Sequence, residues 1–387
     1  MKYCSMDYWF SYIFLGNQEK GIVEKMYRAL SMEVPRILSV VGERICHLQC
    51  RHCIFQKEQS NKGMPEDNEL VAAAQAIVKQ MQPNPSIVHE GRIFKPSHLA
   101  WLQAIREMRP DGRIGMIDNG SYLRHINHTD SSGFRFDWLD ISIDGPETIH
   151  NWQRNSDNSF AAALIGIKNA HRILSATGGV HSLLTLTRIN YASILETCAI
   201  LPEEIKQWHI TTLTPARPEI GHLVLSDDEF LVSWHQIRQA NRIRPVMFRL
   251  YVAGDLLKLA KATGRENFLA SFQKARVDFS SISFDVDGVR VIYYPQSVSP
   301  AETFLLDADT CYRVPYSIAY TLEELTKGIS RYDENLEKYT IGKVDTASSF
   351  RLLYKKGVAQ WKDNFSKKLL QEENFIFKQI QALEERG

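Results

Sequence analysis

From residue 36 onward, short β-rich runs alternate with stretches whose apolar residues recur at helical spacing. Ile37 to Val41 is the first strand-like run. Residues 65–82 read as a helix opened by Pro65, with Leu70, Val71, Ala74, Ile77, Val78 and Met81 on one stripe. Ser86-Ile87-Val88 is a short buried strand. Ser97 to Met108 is an amphipathic helix capped by Ser97 and ended by Pro110. Strands follow at Ile114 to Ile117, ended by Asn119-Gly120, and at Trp138 to Ile143, ended by Asp144-Gly145-Pro146. A helix over Phe160 to Leu174 turns Phe160, Ala163, Leu164, Ile167 and Ala170 inward. Val180 to Leu186 and His209 to Leu213 complete the strands, with a helix between them at Ala192 to Leu201.

Strands that alternate with helices imply parallel βαβ units, and such units place function at the C-terminal strand ends. The pattern changes further on. Residues 226–275 read as helices, and Ser283 to Ile292 is a β-hairpin whose Asp287-Gly288 favours a type I′ turn. Leu322-Glu323-Glu324-Leu325 follows the hairpin. Residues 346–386 read as long charged helices with Phe350, Leu353, Tyr354, Trp361 and Phe365 on an apolar face suited to core packing or dimerisation. The expected division is a cap segment at 1–35, a barrel at 36–225, an extension at 226–335 and a helical tail at 336–387.

Composition narrows the function classes. The 387 residues include 46 basic and 45 acidic ones, a formal charge of +1, so no bulk field points to nucleic acid or a membrane surface. No run approaches the ~20 apolar residues of a membrane span. The aromatic run Tyr8 to Leu15 lacks a small-residue cleavage site and reads as a cover for an open end of the barrel. The six cysteines, Cys4, Cys46, Cys50, Cys53, Cys198 and Cys311, do not form a secreted disulfide framework. A reducing cytoplasm is the expected setting.

Cys46, Cys50 and Cys53 carry the most specific signal, in C-x-x-x-C-x-x-C spacing directly after the first strand. Thiolates this close hold either an iron–sulfur cluster or zinc, the latter with His47, His52 or a distant fourth ligand. A zinc-stabilised binding protein is therefore an alternative of a different class. The spacing resembles the radical S-adenosylmethionine (SAM) superfamily, and the resemblance implies that the three cysteines bind a [4Fe–4S] cluster with one iron open to SAM. It also implies reductive cleavage of SAM to a 5′-deoxyadenosyl radical that abstracts hydrogen from a substrate carbon. His52 falls where that family places an aromatic ring.

The strand ends extend the likeness. After the second strand, His89-Glu90-Gly91-Arg92 stands where the family has Gly-Gly-Glu-Pro: either Glu90 and Gly91 receive the SAM amino group in a shifted register, or that group is held differently. Asp118-Asn119-Gly120 resembles the family's Thr-Asn-Gly, although Asn-Gly is also a common turn. Ser142-Ile143-Asp144-Gly145, followed by His150 and Arg154, is similar to the run found in peptide- and sulfatase-maturing members. Thr185 to Asn190, with Thr187, and Thr212 to Pro218, with Thr214, match the segments after strands five and six. The resemblance therefore implies SAM contacts at His52, Glu90, Gly91, Asn119, Ser142, Asp144, Arg154, Thr187 and Thr214. It also implies an α/β partial (β/α)6 TIM-like barrel with a small α+β C-terminal extension.

That extension resembles a SPASM module, a hairpin-plus-helix unit that carries auxiliary clusters, but its cysteines are missing. Tyr293 and Tyr294 stand where a first ligand is expected and Cys311 is alone, so a cluster-free wall or lid is expected. Cys4 and Cys198 read as small buried hydrophobes. The first 35 residues are too short for the winged-helix peptide-recognition domain of many peptide-modifying relatives. The expected function is accordingly a radical SAM enzyme of the SPASM or anaerobic-sulfatase-maturase type acting on a natural product or other small metabolite. Modification of a ribosomal peptide (crosslinking, epimerisation or oxidation) is the runner-up. A flavodoxin or ferredoxin would supply the electron. Arg92, Arg217, Glu219, His222 and Tyr294 are the candidate substrate contacts.

Overall fold

A computed structural model describes residues 37–41, 46–53, 78–79, 81, 83–91, 96–126, 133–213, 218–251, 253–272, 274–278, 281–293, 303–307, 310–313 and 340–343. Seven consecutive strands lie side by side in parallel: β1 (Ile37–Val41), β2 (Ser86–Gly91), β3 (Arg113–Asp118), β4 (Phe136–Ser142), β5 (Leu174–Leu186), β6 (Ile205–Thr212) and β7 (Val246–Leu250). Between them run α1 (Pro96–Met108), α2 (Glu147–Arg154), α3 (Ser159–Ala170), α4 (Ile194–Ile200) and α5 (Asp227–Ile243); α6 (Ala253–Thr263) and α7 (Arg265–Phe272) follow β7. The α/β parallel core agrees with the expected partial barrel. No helix among the described residues is long and apolar enough to cross a membrane.

The sheet is wider than the sequence suggests. Beyond β7, the strands β8 (Arg276–Asp278), β9 (Ser281–Val286) and β10 (Val289–Tyr293) add in the order β10, β9, β8, with β10 parallel to β7. Beyond β1, β11 (Thr303–Asp307) pairs in parallel, and β12 (Thr310–Arg313) and β13 (Thr340–Lys343) continue antiparallel. The expected hairpin is present, and both turn residues take positive φ, Asp287 at 53° and Gly288 at 81°. Rather than standing apart, it prolongs the parallel sheet.

Three expectations need correction, the first being the helix over Phe160 to Leu174: it ends at Ala170, and Leu174 already opens β5. Residues 226–275 are not all helical, because Val246–Leu250 forms β7 between α5 and α6. Its alternation of buried Val246, Phe248 and Leu250 with half-buried Met247 and Arg249 is strand periodicity, confined to five residues. The helix expected from Ser97 begins at Pro96, so Ser97 is not its cap; proline suits a first helical turn, where its missing N–H is not needed. The helix expected over residues 65–82 lies almost wholly outside the described residues, as do Cys4, the N-terminal aromatic run and the tail from 346.

Strand pleating sorts the side chains onto two faces. Leu139, Ile141 and Ile143, Leu184 and Leu186, Trp208 and Ile210, and Phe248 and Leu250 pack with Ala163, Ile167, Trp234 and Ile237 of the helices in one apolar core. The intervening residues face the inner side. There Trp138 lies across Gly115, where even a Cβ would meet its ring at 1.9 Å. The inner face is therefore filled at its N-terminal end, and polar chemistry is left to the middle and the C-terminal end.

Candidate active site

The cysteine loop is fastened to the C-terminal end of α2. Arg51 N–H donates to the Gln153 carbonyl at 2.9 Å, and Cys53 N–H closes a turn onto Cys50 O at 3.2 Å. Arg51 Nε donates to Trp152 O at 3.0 Å, and its guanidinium lies 4.6 Å from the Trp152 ring centre. None of Cys46, Cys50 and Cys53 is in a disulfide. Cys50 is buried, and that burial pushes its thiol up to about 11 even though Arg154 pulls the other way.

Asp144 and Arg154 form the centre of the site. Asp144 leaves the end of β4 fully buried, and Arg154 Nε donates to its Oδ2 at 2.5 Å. Arg154 Nη1 also reaches Cys50 Sγ at 4.0 Å. Burial alone would raise the Asp144 carboxyl, but Arg154 and then His52 and His150 hold it down at about 2. Its other oxygen accepts from Thr185 N–H at 2.9 Å. His52 Nε2 lies 3.9 Å from Asp144 Oδ2, and His150 Nδ1 accepts the Asp144 N–H at 3.0 Å. Both rings are desolvated, so each is held neutral, with its pKa lowered to about 4. The site thus balances one carboxylate against one guanidinium beside a buried thiol.

The loop after β5 locks against α2. Thr187 Oγ1 donates to Gln153 Oε1 at 2.9 Å, Gln153 Nε2 donates to Thr185 O at 3.0 Å, and Asn190 Nδ2 donates to Asp144 O at 2.7 Å. These buried amides hold β4, β5 and α2 in one register under the cysteine loop. Gln153, just before Arg154, is a site residue that sequence reading passed over, while Asn190 closes the Thr185 to Asn190 run that the sequence matched.

The expected contacts distribute unevenly. Asp144, Arg154 and Thr187 join the cysteine loop in one hydrogen-bonded network, His52 lies beside it 3.9 Å from Asp144 Oδ2, and buried Ser142 ends β4 two residues before Asp144. Asn119 is engaged locally: its Oδ1 accepts Ser121 N–H at 3.0 Å, in the turn with Gly120. Gly120 has φ of 90°, and a Cβ there would meet Ala163 Cα at 2.5 Å, so this turn seats α3. Asp118 is buried behind the turn, and burial raises its carboxyl to about 6 against several backbone N–H donors. Glu90 and Gly91 end β2 in register with Ile117 and Asp118, making them part of a strand longer than the expected Ser86-Ile87-Val88. Glu219 and His222 are exposed on a 3₁₀ turn at Pro218–Leu223. Arg92, Thr214, Arg217 and Tyr294 lie outside the described residues. Cys198 is buried against α5, as a small hydrophobe would be, with Sγ 4.0 Å from Ala240 O.

Two polar groupings were not anticipated. His89 of β2 and His98 of α1 are fully buried with Nε2 and Nδ1 3.0 Å apart. Asp140, His181, His209 and Arg249 meet on the inner face of four adjacent strands.

The whole arrangement has counterparts among solved structures. The chain superposes on native anSMEcpe with bound AdoMet and Cp18Cys peptide at a TM-score of 0.54, with 12% identity over 84% of this chain and 82% of that one. The same protein, an anaerobic sulfatase maturase, with AdoMet and Kp18Cys peptide gives 0.51 at 13% identity over 80% and 78%. No family model matches the chain, and no curated protein matches its sequence. At these identities the likeness is one of fold: the chain has the partial-barrel fold that the cysteine spacing and strand-end motifs implied.

Proposed function

We propose that this chain is a radical SAM enzyme that cleaves SAM reductively and takes hydrogen from an organic substrate. The observation that carries the reading is the placement of the three-cysteine loop directly against the Asp144–Arg154 pair, at the C-terminal end of a parallel strand. The donor set fits the cluster: three thiols not tied in disulfides, one of them buried beside a guanidinium that stabilises its thiolate. Such a cluster would supply the one-electron reduction of the SAM sulfonium. Cys46, Cys50 and Cys53 would hold it.

The remaining roles belong to this chain's own groups. Ser142 and the end of β4 face SAM, with Glu90, Gly91, Asn119, Thr187 and Thr214 as the further contacts proposed from their motifs. Arg154 holds Asp144 ionised and faces Cys50, and neutral His52 packs over the pair without adding charge. Burial excludes water from the pair, so its charges act in a low-dielectric setting.

For the substrate, the absence of auxiliary-cluster cysteines from the 283–292 hairpin in the sequence supports a small molecule. A peptide is the second reading, supported by the Cp18Cys and Kp18Cys peptides bound to anSMEcpe. A flavodoxin- or ferredoxin-type donor in a reducing compartment fits a loop whose Cys46 and Cys53 are only half-buried.

Metal and sulfide analysis of anaerobically purified protein separates this reading from a zinc-stabilised binding protein. Iron and acid-labile sulfide in roughly equal amounts support the enzyme. Zinc without sulfide would overturn it.

A further inference from the structure

Asp144 stands two residues beyond the end of β4, above a polar column on that strand's inner face. Four residues earlier on the same face is Asp140, roughly 13 Å down the strand at ~3.3 Å per residue. His181 Nδ1 lies 3.1 Å from Asp140 Oδ1, and His209 Nδ1 lies 3.4 Å from the same oxygen. From β7, Arg249 Nη2 reaches His209 Nδ1 at 3.0 Å. The ligand atoms of Asp140, His181 and His209 all lie within 4.8 Å of one another, a spacing a metal ion could use.

Arg249 argues against a metal. A guanidinium only donates, so His209 Nδ1 must accept, and its lone pair is spent on that hydrogen bond. A divalent ion there would also sit beside a permanent positive charge. The same contact fixes the tautomer: His209 carries its proton on Nε2. That nitrogen is buried, on a side chain 4% exposed, and has no hydrogen-bond partner among the described residues. Thr211, next on the inner face of β6 and in register with Arg249, has a buried hydroxyl without a partner as well. An unmet buried donor costs about 1–3 kcal/mol, so two on one face of β6, two residues apart, point to an acceptor shared by both.

The charge of the cluster selects the acceptor. The Asp140 carboxylate and the Arg249 guanidinium cancel, and burial holds His209 neutral, with its pKa lowered to about 4. Asp140 stands close by and would repel an anion, so a neutral oxygen is favoured. We propose that Asp140, His181, His209, Thr211 and Arg249 form a substrate subsite that receives an amide carbonyl oxygen from His209 Nε2–H and Thr211 O–H. Arg249 orients the His209 ring and Asp140 holds His181; His209 and Thr211 make the contacts. The assignment of this ligand as substrate rests on the radical SAM reading. Peptides and small carboxamides share the chemistry.

The test uses cluster-loaded, SAM-bound protein labelled with ¹⁵N-histidine, with the His209 signal assigned by its absence from His209→Gln. The expected result is an Nε2–H tautomer at pH 7 whose signal shifts on titration with acetamide or with a blocked alanine-glycine-alanine tripeptide amide. Thr211→Val should weaken that titration about tenfold, as the loss of one hydrogen bond requires. A tripeptide that binds tenfold more tightly than acetamide supports the site with a peptide ligand; equal binding supports it with a small carboxamide. Acetate binding more tightly than either, no shift with any probe, or loss of the Nε2–H signal on adding zinc would each overturn the proposal. 5′-Deoxyadenosine release from the same wild-type samples separates the two readings. Release without probe binding overturns the subsite alone, and probe binding without release keeps the subsite but removes its link to SAM chemistry.

Discussion

Arg154 donates to Asp144 at 2.5 Å and, from the other end of its guanidinium, reaches Cys50 Sγ at 4.0 Å. A single side chain thereby ties the end of β4 to the cysteine loop, through a carboxylate that is 0% exposed. Such a pair is weak evidence of net stability, because desolvating two charges offsets most of their attraction. Breaking it from one side is another matter.

Arg154→Met should therefore cost about 3–5 kcal/mol, since it strands a buried carboxylate. Asp144→Leu combined with Arg154→Met should cost clearly less than the sum of the two single changes. Urea denaturation of the four proteins in a double-mutant cycle measures this. Additive losses would show that the two groups do not act as a pair.

Acid should destabilise the protein through its buried histidines. His150 and His209 are each held with a pKa of about 4, below the 6.5 of the unfolded chain. Below pH 6.5 the unfolded state takes up protons that the folded state refuses, so stability is full above that pH and falls toward pH 4. The loss is up to ~3 kcal/mol per histidine. Asp144 adds a further loss only below its unfolded pKa of 3.8, as pH approaches its folded value of about 2. Denaturation midpoints at pH 7, 5.5 and 4.5 should fall in that order, and His150→Phe should flatten the slope. A midpoint unchanged between pH 7 and 4.5 would contradict the assigned burial.

Gly120→Ala should destabilise by more than ~1 kcal/mol, because φ of 90° strains an alanine and its Cβ would press on the α3 backbone at Ala163. Gly133→Ala is the control: it has φ of 69° with nothing within 4 Å among the described residues, so it carries the backbone strain without the clash. Thermal melts should place Gly120→Ala well below Gly133→Ala. Equal melting points would mean that α3 does not sit on this turn.

Much of this fold can be read from residue order, because strands β3 to β6 and helices α1 and α3 keep one periodicity for a full element. Strand β7 escapes because five residues of alternation between two helices are too few to stand out. The cysteine loop and the Asp144–Arg154 motif are legible because their spacing is local. The Asp140, His181, His209 and Arg249 cluster is not, since its members sit on four strands and meet only when the parallel register is set. A signal exists even so: each is polar or charged at a position that alternates with the buried apolar residues of its strand. Asn119 shows the converse: the matched Asn-Gly run also forms a turn that the packing of α3 demands, so the motif has a structural role beside the proposed one.

The most direct test is to reduce the reconstituted protein with dithionite in the presence of SAM and quantify 5′-deoxyadenosine. The account predicts a brown protein that releases it, with release lost when Cys50 is changed to serine. Undiminished release from Cys50→Ser, or a reconstituted wild type that leaves SAM whole, would contradict it.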